Sequence, residues 1–198
     1  MKNKIKYLFS SVFLLFYTIS CSQSKETIFI KKNKYQKVYI LQDKNSKEYN
    51  LLIDFSNFNT NVKTSKLESL GINSKWLPLY KYNGKYYLYI PCDEINDRKY
   101  LIDDNNIQIQ SSEVENYIIN SIKKEQKNVF INYTESSSKE NFSLKISPID
   151  KSNGIYKFIT TNNDFSYELI MLDINKYKNY DVIINECSIK AKEFEFDK

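Results

Sequence analysis

The 198-residue chain carries no histidine, only three glycines and a formal net charge of +5. Without histidine there is no Ser-His-Asp or Cys-His nucleophile and no imidazole metal ligand, and Gly71, Gly84 and Gly154 are too scattered for a P-loop or dinucleotide fingerprint. Arg98 is the single arginine among 29 basic residues, whereas nucleic-acid sites depend on arginine's planar fork, so the charge does not argue for a nucleic-acid partner.

The N-terminus has three zones. Lys2, Lys4 and Lys6 are followed by an apolar run, Leu8 to Ile19, and then by Ser20-Cys21 and a polar stretch. Positive charge, apolar run and small-residue exit mark an export signal. The run is short of the roughly 20 residues that cross a bilayer as a helix. Thr18-Ile19-Ser20-Cys21 resembles the lipobox of bacterial lipoproteins, with Thr18 standing where leucine is usual. That resemblance implies diacylglycerol and palmitate-type acyl chains on Cys21, cleavage before it, and a membrane partner reached through the lipid. Two or more chains give stable anchoring where one is marginal. Ser22, a residue other than Asp after the cysteine, resembles the sorting signal that in some bacteria passes lipoproteins to the outer membrane of the cell envelope. Ser22-Gln23-Ser24-Lys25-Glu26 matches poorly the acidic stretch that in others directs them to the surface, so the periplasmic or surface face stays open. The expected organisation is a signal peptide over 1–20, a tether over 21–27 and one β-rich domain over 28–198. The signal takes three of the basic charges, so the remainder is close to neutral.

Within the domain, 36–42 and 49–55 read as strands. Residues 64–71 read as a short helix, with Leu67 and Leu70 facing inward and Gly71 at a left-handed C-terminus. Asn83-Gly84 divides two alternating runs over Trp76–Pro91, the strongest local hairpin cue, because both turn residues take positive φ. A two-residue turn then opposes Tyr82 to Lys85, Tyr80 to Tyr87, Pro78 to Tyr89 and Trp76 to Pro91. Pro78 places its strand at an edge or bulge. A second hairpin is expected around Asp103-Asp104-Asn105-Asn106. Residues 112–125 read as a helix, from a capping box at Ser112 and apolar residues Val114, Tyr117, Ile118 and Ile122. Strands follow at 129–134, 141–147, 154–161, 165–172, 180–187 and 189–196. The fold class is mainly β, an antiparallel meander forming a sandwich or barrel with one or two short helices.

The candidate sites are few. Trp76, Tyr80, Tyr82, Tyr87 and Tyr89 form an aromatic stripe that either binds a protein or glycan partner or packs beneath other elements. Cys92 and Cys187, once exported, either pair or bury separately; a bridge over so long a loop contributes about 4–5 kcal/mol in the chain-entropy model. Acidic groups at 93–97, at 103–104 and at 193–197 read as turns and solvated surface. Ser136-Ser137-Ser138-Lys139 reads as a loop rather than a Ser-Lys dyad. No cofactor or metal is implied. These residues point to a non-catalytic, lipid-anchored binding module. A β-barrel carrier of a small apolar ligand is the alternative, and an envelope hydrolase using a carboxylate pair comes third.

Overall fold

The computed structural model describes residues 27–92, 98–111, 113–188 and 193–197. Thirteen strands are found among them: β1 (Ile28–Lys32), β2 (Gln36–Leu41), β3 (Lys75–Pro78), β4 (Tyr80–Tyr82), β5 (Lys85–Ile90), β6 (Lys99–Ile102), β7 (Asn106–Gln110), β8 (Val114–Glu125), β9 (Asn128–Glu135), β10 (Asn141–Asp150), β11 (Ile155–Thr161), β12 (Ser166–Asp173) and β13 (Val182–Cys187). Seven consecutive strands, β6 to β12, meander antiparallel, and β3 inserts between β12 and β6 to close an eight-stranded barrel. The other five form a sheet in the order β1-β2-β13-β5-β4, with β13 and β5 parallel. The expected mainly β architecture is therefore a barrel, with a second sheet beside it.

Period-two alternation fills the lumen. Trp76, Tyr100, Ile131, Leu144, Phe158 and Met171 each come from a different strand and are almost wholly buried in one cluster. Residues of the opposite parity, such as Leu77, Leu101 and Leu172, pack outward against Leu88, Val182 and Ile184 of the second sheet. One strand thus feeds two cores.

Three expectations need correction. Residues 112–125 are not a helix: β8 runs from Val114 to Glu125, paired with β7 and β9. A bulge between Ile119 and Ser121 inserts one extra residue, so Tyr117, Ile119 and Ile122 all pack toward the lumen core. Spacings of two and then three imitate helical periodicity. Residues 49–55 are not a strand: Lys47–Leu52 is helical, capped by the Ser46 side chain on Tyr49 N–H at 3.2 Å, with Tyr49 and Leu52 buried. Buried Lys99 donates to the Leu51 and Asp54 carbonyls at 3.3 Å, which fastens this helix end to the barrel. Of the strand expected at 189–196, residues 193–196 join no ladder, and 189–192 lie outside the described residues.

The helix expected over 64–71 spans Ser65–Ser69, and Gly71 takes φ +74° behind it. Leu67 enters the lumen cluster with Ile72, so this helix plugs one end of the barrel. Asp104, in the β6–β7 turn, holds it from outside, accepting from Lys66 N–H at 2.9 Å, Leu67 N–H at 3.2 Å and Ser65 Oγ at 3.1 Å. Partial desolvation opposes its charge. The amide and hydroxyl donors and the Lys63 charge outweigh it, so its pKa lies below the ordinary 3.8. A lowered carboxylate contributes fully above its unfolded value and loses that contribution as pH falls through the folded one. Asp104→Asn should therefore lower the melting temperature at pH 7 and much less near pH 2. An equal drop at both pH values in thermal denaturation would contradict this account.

Candidate functional site

Among the described residues, the barrel end opposite the plug is open. Around it, strand ends and turns carry aromatic rings in a continuous arc. Tyr117 lies 5.2 Å from Tyr133, Tyr133 is stacked 5.3 Å from Phe142, Phe142 is 6.2 Å from Phe165, and Phe165 is stacked 5.9 Å from Tyr167. The Arg98 guanidinium closes the arc, 5.1 Å above the Tyr167 ring. Together with Ile109, Ser111, Glu115 and Glu140 these groups line a cavity of about 510 Å³.

The geometry follows from register. Tyr133 opposes Phe142 across the β9–β10 hairpin, and Tyr167 opposes Thr160 on β11. Rings at the same end of successive strands therefore meet at one rim. Beneath the rim the Tyr100 and Tyr167 hydroxyls are 3.2 Å apart. The buried Thr160 hydroxyl faces the Tyr133 phenol without a well-formed hydrogen bond. Burial pushes the Tyr100, Tyr117 and Tyr133 phenols up, reinforced at Tyr117 by its bond to Glu115 and at Tyr100 by Tyr167. They stay protonated at neutral pH and act as hydrogen-bonding groups, not bases. Tyr117 Oη donates to Glu115 at 2.7 Å, and Asn162 donates to Glu140, so both mouth carboxylates are already oriented. The site offers ring faces, one cation and two carboxylates.

The expected aromatic stripe divides. Asn83 and Gly84 take positive φ, and the tip register opposes Tyr80 to Tyr87 and Tyr82 to Lys85 as the turn requires. Below it the hairpin separates. Leu79 N–H binds the Ile170 carbonyl at 2.8 Å, which keeps β3 on β12 while β4 follows β5 into the second sheet. Pro78 ends β3 beyond its short ladder with β6, where no amide is needed. Trp76 is consequently 1% exposed in the lumen, not on a surface with the tyrosines. Its rings lie 5.0 Å from both Tyr156 and Phe158.

The C-terminal segment packs on three of the four tyrosines, and the fourth, Tyr87, rests against Tyr82; Tyr89 is buried and the others are half-buried. Phe196 lies 4.7 Å from both Tyr80 and Tyr89, and Phe194 lies 5.2 Å from Tyr82, with Tyr87 6.4 Å from Tyr82. Tyr89 Oη donates to Glu193, and Asn185 Nδ2 reaches both at 3.0 Å. Cys92 and Cys187 are bonded, with Cα atoms 5.6 Å apart, at matching ends of the parallel pair β5 and β13. Asp103 caps its own turn through the Asn105 and Asn106 amides at 2.6 and 2.7 Å. Lys139 Nζ donates to the Ser136 carbonyl at 2.8 Å, while Ser137 and Ser138 donate to Glu135, so no serine is set against the lysine. Cys21 and residues 93–97 lie outside the described residues.

None of the arc residues stood out singly in the sequence. The available signal was positional: Tyr133 and Phe142 flank one turn, and Phe165 and Tyr167 follow the next.

Trp76→Ala should cost about 3–5 kcal/mol in urea denaturation, as expected for a large core ring. A loss below about 1 kcal/mol would contradict its lumen position. Combined Phe194→Ala and Phe196→Ala should open the tyrosine face and raise binding of a hydrophobic dye; unchanged fluorescence would show that those rings do not cover it. Compared with known proteins, the chain matches no family model, no curated protein and no solved structure.

Proposed function

We propose that this protein is a non-catalytic binding module, held at the outer membrane of a bacterial envelope by acyl chains on Cys21. It takes the ring-bearing end of a glycan at the open mouth of its barrel. The observation that carries this reading is the unbroken aromatic arc with Arg98, Glu115 and Glu140 set into it. Sugar rings offer apolar C–H faces to aromatic side chains and hydroxyls to charged ones, and this mouth supplies both. About 510 Å³ is within the size of small-ligand sites. The missing histidine and the neutral phenols favour recognition over catalysis.

A carrier of a small apolar ligand is the second reading, and barrel closure favours it. The lumen, however, is filled by Trp76, Tyr100, Phe158 and their aliphatic neighbours, so an apolar guest would have only the mouth.

Binding to a glycan array, followed by titration of the strongest hit, tests the reading. Tyr167→Ala and Phe165→Ala should each weaken that hit about five- to thirtyfold, since a stacked ring contributes about 1–2 kcal/mol. Melting temperatures should fall only slightly for exposed Phe165. Glycan binding that survives both substitutions would place recognition elsewhere. Co-purification of an apolar molecule with the protein would instead favour the carrier.

A further inference from the structure

The edge of the second sheet carries a surface of a different kind. β1 is an outer strand, and its far side has no neighbour among the described strands. Ile28, Phe29 and Tyr35 are 48%, 50% and 58% exposed, unusual for three large apolar side chains within eight residues. Lysines alternate with them at 31, 32, 34 and 37, and no acidic residue occurs between Thr27 and Leu41. Lys32 opposes Lys37 directly across the β1–β2 ladder, a like-charge pair that a sheet ordinarily avoids. Lys37 has Glu186 at 3.6 Å; among the described residues Lys31, Lys32 and Lys34 have no carboxylate partner. Instead the Lys32 and Lys34 ammonium groups lie over the Phe29 and Tyr35 rings, at 4.8 and 5.5 Å.

We infer that the β1–β2 hairpin docks on an anionic lipid surface, with Phe29 and Tyr35 at headgroup depth and the lysines on lipid phosphates. The inference rests on the proposed tether. Cys21 precedes Ile28 by seven residues, which span at most about 25 Å when extended, so an acylated Cys21 would hold this edge against the bilayer. Exposed aromatics set among lysines match the chemistry of the interface, where rings partition and each lysine adds attraction that salt screens. The docking also gives the unpaired edge of β1 a cover.

The full-length chain, produced in a bacterial host and purified, is seated on liposomes of phosphatidylcholine alone or of phosphatidylcholine with phosphatidylglycerol. Hydrogen exchange over 28–37 reads docking, and intact mass separately reads acylation of Cys21. Exchange should slow on the anionic liposomes only. The combined Lys31→Glu, Lys32→Glu and Lys34→Glu variant should lose at least about tenfold of that protection with an unchanged melting temperature. Tyr35→Ala should weaken it without altering net charge. Equal exchange on both compositions overturns the docking, even with the acyl mass present. Protection that grows with protein concentration in the absence of lipid also overturns it, assigning the edge to a second copy of the chain. A chain without the acyl mass that is still protected on anionic liposomes would sink the tether and leave the docking surface standing.

Discussion

Closure of the barrel depends on four residues. Lys75–Pro78 is, with β6, one of the two four-residue staves, registering Trp76, Leu77 and Pro78 against β12 and only Lys75 and Trp76 against β6. Its backbone completes the hydrogen-bonded circuit, so neither β6 nor β12 is left as an open edge. Its Trp76 side chain fills the lumen, and its Leu77 side chain fills the core on the other face. Beyond Pro78 the chain departs into the second sheet. The short stave therefore fixes both the barrel and the position of its neighbour.

The two ends of the barrel have opposite characters for local reasons. At one end a five-residue helix is clamped by Asp104 and carries Leu67 inward, which removes any passage. At the other, the strands finish in aromatic residues next to polar turns, so rings gather around a cavity. Closure brings together residues as distant as Arg98, Tyr133 and Tyr167. A barrel rim makes such meetings without any local motif, and that explains the silence of the sequence about this mouth.

Much of the fold was nonetheless legible. The meander from 129 to 172, the Asn83-Gly84 turn and the helix ending at Gly71 each carry a local physical signature: alternation, positive φ, a left-handed cap. The errors came where a local pattern imitated another. In β8 the bulge before Ser121 turned a period of two into apparent helical spacing. At 47–52 the apolar run of Leu51, Leu52 and Ile53 resembled a strand, and only the Ser46 cap spoke for a helix. Along Trp76–Pro91 the turn chemistry fixed the tip, whereas the split below it was set by β12, some ninety residues away. The stripe's cover was equally remote, supplied by Phe194 and Phe196.

The bond between Cys92 and Cys187 encloses 95 residues of sequence separation, and all of β6 to β12 lie within that span. Seven staves of the barrel thus belong to one covalent loop, and the eighth arrives from outside it. In an oxidised but unfolded chain the seven remain confined together, able to pair in sequence order. The circuit closes only when a segment that the loop does not hold threads the gap between its first and last strands. The covalent link and the closing strand are thereby made topologically independent of each other.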